Sequence, residues 1–360
     1  MRKWIINPEV DMVDVLSQYG RFLPNDYRMI MEHLEIPRVF EEYAEKTHRR
    51  FMIIGSKDTP WVLAKSVFLC LKLAGPDSIA VKTPNLDESF MVQNVLEHHA
   101  NGVRNKVFVA NNDELKLSNE WRDEIENATD IVVFGNQNAM EAFREYETVD
   151  RRVWEHGYKF SFGVVQEEHL TPTIINQICF DFFSFYGEGS LAPKFYFIVG
   201  KLRRKVLEQF SMNMITMYGN FIEQYRDKLP LTRKSELVEK TLVSNYVAKY
   251  VRVEHLQSED LFDNLYGDVR LVIVDDLDDV EAFIDKWNDN INTVAIDIED
   301  DMNTLDLLED KMVVRICDVG SMQFPDFFEQ YDSVDDFMIY ANEDEDDGDD
   351  ITLSQGDDLI

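Results

Sequence analysis

The apolar positions along the chain change period in a regular way. "DMVDVLSQYG" and "VFEEYAEKTHRR" carry apolar residues at helical spacing and "LPND" interrupts them, so residues 9–50 are expected to be helical. From residue 50 onward, short unbroken apolar runs alternate with longer amphipathic ones. "RFMIIG" predicts a buried strand, and "PWVLAKSVFLCLKLAG" a helix opened by Pro60 and closed by Gly75. The alternation then repeats. "SIAVKTP", "NKVFVAN" and "DIVVFGN" read as strands; "LDESFMVQNVLEHHANG", "LSNEWRDEIENA" with Ser118 as its cap, and "NAMEAFREYE" read as helices. Strands alternating with helices predict a parallel, doubly wound α/β sheet, in which ligands bind at the carboxyl ends of the strands. That rule selects Gly55-Ser56, Lys82-Thr83 and Gly135-Asn136.

The second half repeats the theme with a different core. In "TPTIINQICFDFFSFY", Ile174, Ile175, Ile178, Cys179, Phe182 and Phe183 form one helical stripe, so the aromatic run is read as core and Cys179 with it. "KFYFIVG" is a strand. Two helical segments, "KLRRKVLEQFSMNMITMYGNFIEQYRDK" and "KSELVEKTLVSNYVAKYV", precede three more strands, "VRLVIVDD", "NTVAID" and "MVVRICDVG". The expected organisation is a helical segment over 1–50, a nucleotide-cofactor-binding domain over 51–160, a second α/β domain of catalytic type over 161–340, and a tail over 341–360. There is no apolar run of about 18 residues to span a membrane, no GxGxxG, no P-loop, no zinc spacing and no internal repeat.

Charge changes this picture at the end of the chain. The formal net charge is −33, and 13 acids but no Lys or Arg fall between Glu329 and Ile360. A field of that sign excludes nucleic acid and anionic membranes as partners, since both need basic footprints. The segment "NEDEDDGDDITLSQGDD" is expected to be disordered, for want of apolar surface to offset its ordering entropy. It reads as a solubilising tail, or as a docking segment for a basic protein partner. Cys70, Cys179 and Cys317 are widely spaced in apolar runs. They read as buried thiols of a protein in a reducing, cytoplasmic setting rather than as disulfides or metal ligands.

One short stretch, "FYGEGSLAPK", sets Ser190 in a glycine-flanked turn between the apolar helix and the strand "KFYFIVG". Five separated stretches, this one included, resemble in order the fatty-acyl-CoA reductase (LuxC) family, a branch of the aldehyde dehydrogenase superfamily. "IAVKTP" is similar to the strand ending in a lysine that contacts the cofactor's adenosine ribose. "DIVVFGN" resembles "D-x-x-x-x-G-G" at the pyrophosphate, and "HGYKFSF" resembles "yGxKxS". In "DFFSFYGEGSLAP", Asp181 is followed nine residues later by Ser190, at the family's catalytic cysteine, and then by Leu191, Ala192 and Pro193. "VVRICDVGSMQFPDFFEQYD" is similar to the family's "G-x-x-R-x-x-x-x-G-x-M". The resemblance spans roughly residues 50–337.

The resemblance implies an aldehyde-dehydrogenase-like fold, with a doubly wound parallel-sheet cofactor domain, a second α/β catalytic domain and an active site between them. It implies NADPH as cofactor and a fatty acyl-CoA or other acyl thioester as substrate. The reaction it implies is reduction of the thioester to an aldehyde through an acyl-enzyme. A homo- or hetero-oligomer is expected. Carried over by position, Ser190 takes the nucleophile's place, and Glu155, in "EHGYK", the place of the superfamily's base. Lys82, Thr83, Gly135 and Asn136 fall at the cofactor. The family's "G-N-x-P" turn, whose asparagine donates to the oxyanion, corresponds here to "GSKDTP", where Ser56 is the available donor. A thiol ionises far more readily than an alcohol, so Ser190 needs a base to remove its proton, and Glu155 and His156 are the candidates. Two readings stand: an acyl-CoA reductase working through Ser190, or a reductase-like protein without chemistry that binds or assembles through protein partners. Plainer readings stand beside each residue: Glu155 as a solvated carboxylate, Lys82 as an ordinary strand-end lysine, Asn136 as a helix cap, and Arg315 in a structural ion pair.

Overall fold

Long apolar strands that bury both faces are what a parallel sheet covered by helices requires, and the chain supplies two sets of them. The computed structural model describes residues 49–55, 60–83, 105–109, 118–135, 137–157, 159–187, 189–201, 248–252, 269–297 and 301–325, with single positions in 89–96 and 208–220. The expectations for the helical segment 1–48, for Ser56 and Asn136, and for the tail 341–360 lie outside the described residues.

The first sheet holds β1 (Arg49–Ile54), β2 (Ala74–Thr83), β3 (Asn105–Val109), β4 (Asp130–Phe134) and β5 (Arg152–His156). Its order is β3-β2-β1-β4-β5, and every pair is parallel. The direction of winding reverses between β1 and β4, which makes their carboxyl ends the natural crevice. Among the described residues, α1 (Pro60–Leu73), α2 (Asn119–Asn127) and α3 (Gln137–Arg144) connect strands of this sheet. Ser118 caps α2 as expected, its Oγ accepting from the Trp121 amide at 3.3 Å.

The second sheet has the order β11-β10-β6-β7-β9-β8 and is also wholly parallel. Its strands are β6 (Phe160–Gln166), β7 (Pro193–Val199), β8 (Ala248–Arg252), β9 (Val269–Val274), β10 (Ile291–Ile296) and β11 (Arg315–Asp318); α4 (Pro172–Phe183), α5 (Leu277–Trp287) and α6 (Met302–Asp310) connect some of them. Thr171 caps α4 through the Ile174 amide, and Pro172 occupies its first turn.

Packing follows the strand alternation. On one face of the first sheet, Met52, Ile54, Ile131 and Val133 pack on Trp121, Ile125 and Met140 of α2 and α3. On one face of the second, Phe162, Phe195 and Phe197 surround Phe283 of α5. The remaining faces share one cluster, in which α1 and the α4 stripe join residues of both sheets.

Three elements differ from the sequence pattern. The first helix stops at Leu73, and Ala74–Thr83 runs as strand through Gly75 and Pro76, because Ala74 pairs with Arg49 across an irregular step in the ladder. The aromatic helix ends at Phe183 and tightens into a 3₁₀ turn over Ser184–Gly187. Ala248–Val251, expected to be helical, instead belongs to the edge strand β8, where tertiary pairing with β9 overrides local preference.

Candidate active site

The winding brings the selected strand ends together. Gly55 ends β1, Lys82 and Thr83 end β2, and Gly135 follows β4, and these three strands are neighbours in the sheet. The Gly55 amide donates to Lys82 O at 2.8 Å, and Lys82 Nζ lies 3.4 Å from Gly55 O. Thr83 is fully buried and donates to Phe108 O at 3.4 Å. A Cβ on Gly55 would lie 2.6 Å from Leu63 Cδ2 and 3.0 Å from Lys82 O. A methyl group there would have to displace the Leu63 side chain of α1.

Glu155 and His156 end β5 beside β4. Both oxygens of Glu155 accept from Arg144 of α3, Oε1 from Nε at 2.8 Å and Oε2 from Nη2 at 2.5 Å. The His156 ring is buried and stacks on Phe134, centroids 4.5 Å apart. Gly157–Lys159 alone then join the carboxyl edge of the first sheet to the amino end of β6. Ser161 is five residues beyond His156, so their Cα atoms lie within about 17 Å of each other.

Ser161 is where the second sheet meets the Ser190 turn. Its buried Oγ donates to Ser190 O at 2.6 Å and accepts from the Thr293 amide at 3.2 Å. The turn itself is conformationally unusual. Phe185, Gly187 and Gly189 all have positive φ, +48°, +65° and +93°, and a Cβ on Gly187 would lie 2.6 Å from Phe182 O. A buried phenylalanine in that region holds only where its surroundings fix it. Ser190 is half-buried at the mouth of β7.

Beneath the turn, Asp181 is fully buried. Its carboxylate accepts from Tyr196 Oη at 2.5 Å, the Gly320 amide at 2.7 Å and the Met322 amide at 3.0 Å. Burial pushes the Asp181 carboxyl up to about 7, against the pull of those three donors and of the Arg315 charge. The Tyr196 ring can reach it because position 163 on β6 is glycine, where a Cβ would fall 1.9 Å from Tyr196 Cε1. Arg315 is buried and donates to Met322 O at 2.9 Å and Ser321 O at 3.2 Å. Those bonds hold backbone carbonyls of the segment that follows β11. The three cysteines are buried and none forms a disulfide among the described residues. Burial pushes the Cys179 thiol up to about 12 and raises the Cys70 thiol well above its ordinary value, so neither offers a thiolate.

The structure thus joins three of the separated stretches. "HGYKFSF" contributes Ser161, "DFFSFYGEGSLAP" contributes Asp181 and the turn, and "VVRICDVGSMQF" contributes Arg315, Gly320, Met322 and Gln323. Sequence reasoning assigned no role to Ser161, Thr293, Tyr196 or Gln323. The signal for Ser161 was available as the last letter of "yGxKxS"; nothing local marks the others. Glu155 is drawn to Arg144 on the first sheet rather than joined to this network.

Residues 82–337 match the acyl-CoA reductase (LuxC) family. The chain belongs to that family. Solved structures agree on the fold. An engineered glycolyl-CoA reductase with bound NADP+ superposes with a TM-score of 0.54 at 13% identity, over 86% of this chain and 80% of that one. A propionaldehyde dehydrogenase variant from Clostridium phytofermentans gives 0.56 at 11% identity, over 85% and 78%. The propionaldehyde dehydrogenase of Rhodopseudomonas palustris, with bound CoA and an acylated cysteine, gives 0.52 at 13%, over 89% and 84%. No curated protein matches in sequence. The acyl-CoA reductase fold, with its two parallel sheets, is the frame in which Ser190 and the Lys82 edge have to be read. Among the described residues no helix is long and apolar enough to cross a membrane, and no cluster of side chains could hold a metal.

Proposed function

We propose that the protein works as an acyl-CoA reductase-like protein that binds NADPH and a fatty acyl thioester between its two sheets, with Ser190 in the acyl-accepting position. The observation that carries this reading is the turn itself. Positive-φ residues present Ser190 at the amino end of β7, its carbonyl is fixed by Ser161, and Gly157–Lys159 alone separate that edge from the carboxyl edge of the cofactor-type sheet.

The described residues fit a dinucleotide. Gly55 keeps the end of β1 free of side chain, and Gly135 begins the turn into α3 at the point where the winding reverses. The end of β2, where an acidic residue would bind a free ribose 2′-hydroxyl, carries Lys82 and Thr83; a cation there suits a 2′-phosphate and hence NADPH. Asn136 completes this set as a candidate. NADPH, when bound, would supply hydride to the acyl carbonyl carbon.

The chain's own part is the acyl step. Ser190 Oγ adds to the thioester carbonyl and the C–S bond breaks. CoA leaves as the thiol, taking the proton that the hydroxyl gives up, and an oxygen ester remains on Ser190. The hydroxyl needs a base, and Glu155 or His156 is assigned that role. A donor must stabilise the oxyanion, and Ser56 is assigned it. A second reading, a reductase-like protein that binds through partners without turnover, is favoured by one observation: Arg144 already engages both oxygens of Glu155.

The experiment is intact-mass analysis after incubation with long-chain acyl-CoA, with NADPH oxidation followed in parallel. An acyl adduct lost in Ser190→Ala supports the enzyme. No adduct and no NADPH oxidation overturns it in favour of the binding protein. Ser190→Cys should raise turnover, because the thiol ionises nearer neutrality; no gain would mean that the base or oxyanion donor is not in place.

A further inference from the structure

Both ends of the Ser190 turn are tied to a segment that no step of the proposed reaction uses. At the start of the turn, Gln323 Nε2 donates to Ser184 O at 2.7 Å and to Asp181 O at 2.6 Å. At its end, Ser190 O accepts from Ser161 Oγ, which accepts from the Thr293 amide. Thr293 Oγ1 in turn accepts from Arg315 Nη1 at 3.5 Å, and Arg315 holds Met322 O and Ser321 O. Asp181 closes the circuit by accepting from the amides of Gly320 and Met322. We propose that Asp181 is a positioning residue for Ser190, acting through the strap Gly320–Gln323, which fixes both ends of the turn at once. The proposal rests on the reading of Ser190 as the acyl acceptor for its functional meaning, but the linkage itself does not.

The turn needs such a clamp. Positive φ at Phe185 stores strain that relaxes if either end is released. The clamp is also sensitive to protons. Among the described residues, the charged and titratable groups facing the Asp181–Tyr196 pair are Arg315 and Cys317 from β11 and Cys179 from α4. When protonated, Asp181 can donate to Tyr196 Oη while the tyrosine turns its own proton to Met322 Sδ, 3.4 Å away. The closed strap therefore holds a proton up to about pH 7. An open strap, with the carboxyl in water, releases it near the usual carboxylate value of about 4. Opening is thus easiest above about pH 7 and becomes harder as pH falls toward 4.

Amide hydrogen exchange on the full chain, corrected for intrinsic rates, tests this, with α1 as the internal control. Protection of residues 184–190 should fall as pH rises from 5 to 7 and level off above, and Asp181→Asn should abolish the slope. Gln323→Met, which loses both carbonyl ties at nearly constant length, should speed exchange in 184–190 at least tenfold at pH 7 while α1 keeps its protection. This second variant decides the matter if Asp181→Asn does not fold. A flat wild-type profile, a slope that survives in Asp181→Asn, or equal loss of protection in α1 and the turn overturns the proposal. If the exchange results hold and no acyl group ever appears on Ser190, the acyl-acceptor reading fails and the positioning role stands.

Discussion

At the scale of single residues, the network around Asp181 depends on an absence at position 163. Gly163→Ala would put a methyl group where the Tyr196 ring lies, so the ring must move and its hydroxyl must leave Asp181. Overpacking of this kind costs about 1–3 kcal/mol, and removing the hydroxyl alone in Tyr196→Phe should cost about the same by stripping a donor from a buried carboxyl. Both substitutions break one bond, so the double variant measured by denaturant unfolding should lose less than the sum of the singles. Additive losses would mean that Gly163 does not act through Tyr196. The same carboxyl sets a pH dependence. Its folded pKa, about 7, lies above the unfolded value, so its contribution is present below about pH 4 and is lost as pH rises through about 7. Wild-type stability relative to Asp181→Asn should therefore fall across that window, by at most about 1.4 kcal/mol per pH unit. Legibility was uneven at this scale. Asp181 and Ser190 could be paired through the resemblance to the acyl-CoA reductase family. Thr293 and Gln323 could not, because what singles them out is contact between segments more than a hundred residues apart.

Elements were more legible than their partners. Unbroken apolar runs such as "DIVVF" and "KFYFIV" mark strands buried on both faces, and the structure buries every residue of β4 and β7. The pattern is silent on which strands adjoin, since every parallel strand reads alike. It also missed β8, whose "AKYV" fits either period and is settled by β9. Sheet order is what makes Lys82 testable, because β2 lies beside β1 and one strand from β4. Lys82→Met should weaken NADPH binding about tenfold or more, roughly 1.4 kcal/mol, and NADH binding much less, as read by cofactor fluorescence titration. Equal weakening of both would place Lys82 at the ribose rather than at a 2′-phosphate, and no weakening would remove it from the site.

The whole molecule is governed by its charge. Nine acids lie between residues 341 and 360, so removing that segment changes the formal net charge from −33 to −24. The described core, from β1 to the strap, is built from residues 49–325, and the sequence of the segment 341–360 offers little apolar surface for packing. Self-repulsion among so many like charges destabilises the compact state and is screened by salt within about 10 Å at 0.1 M. The truncated chain should therefore melt at a slightly higher temperature than the full chain in low salt, and at the same temperature in 0.5 M salt. A tail that docks on a basic partner predicts a further difference: the full chain, and not the truncated one, should retain that partner in low salt and release it in high salt. Identical melting at every salt concentration with unchanged recovery of partners would leave the segment neither role. A truncated chain that melts lower in high salt would mean that the segment contributes packing rather than charge.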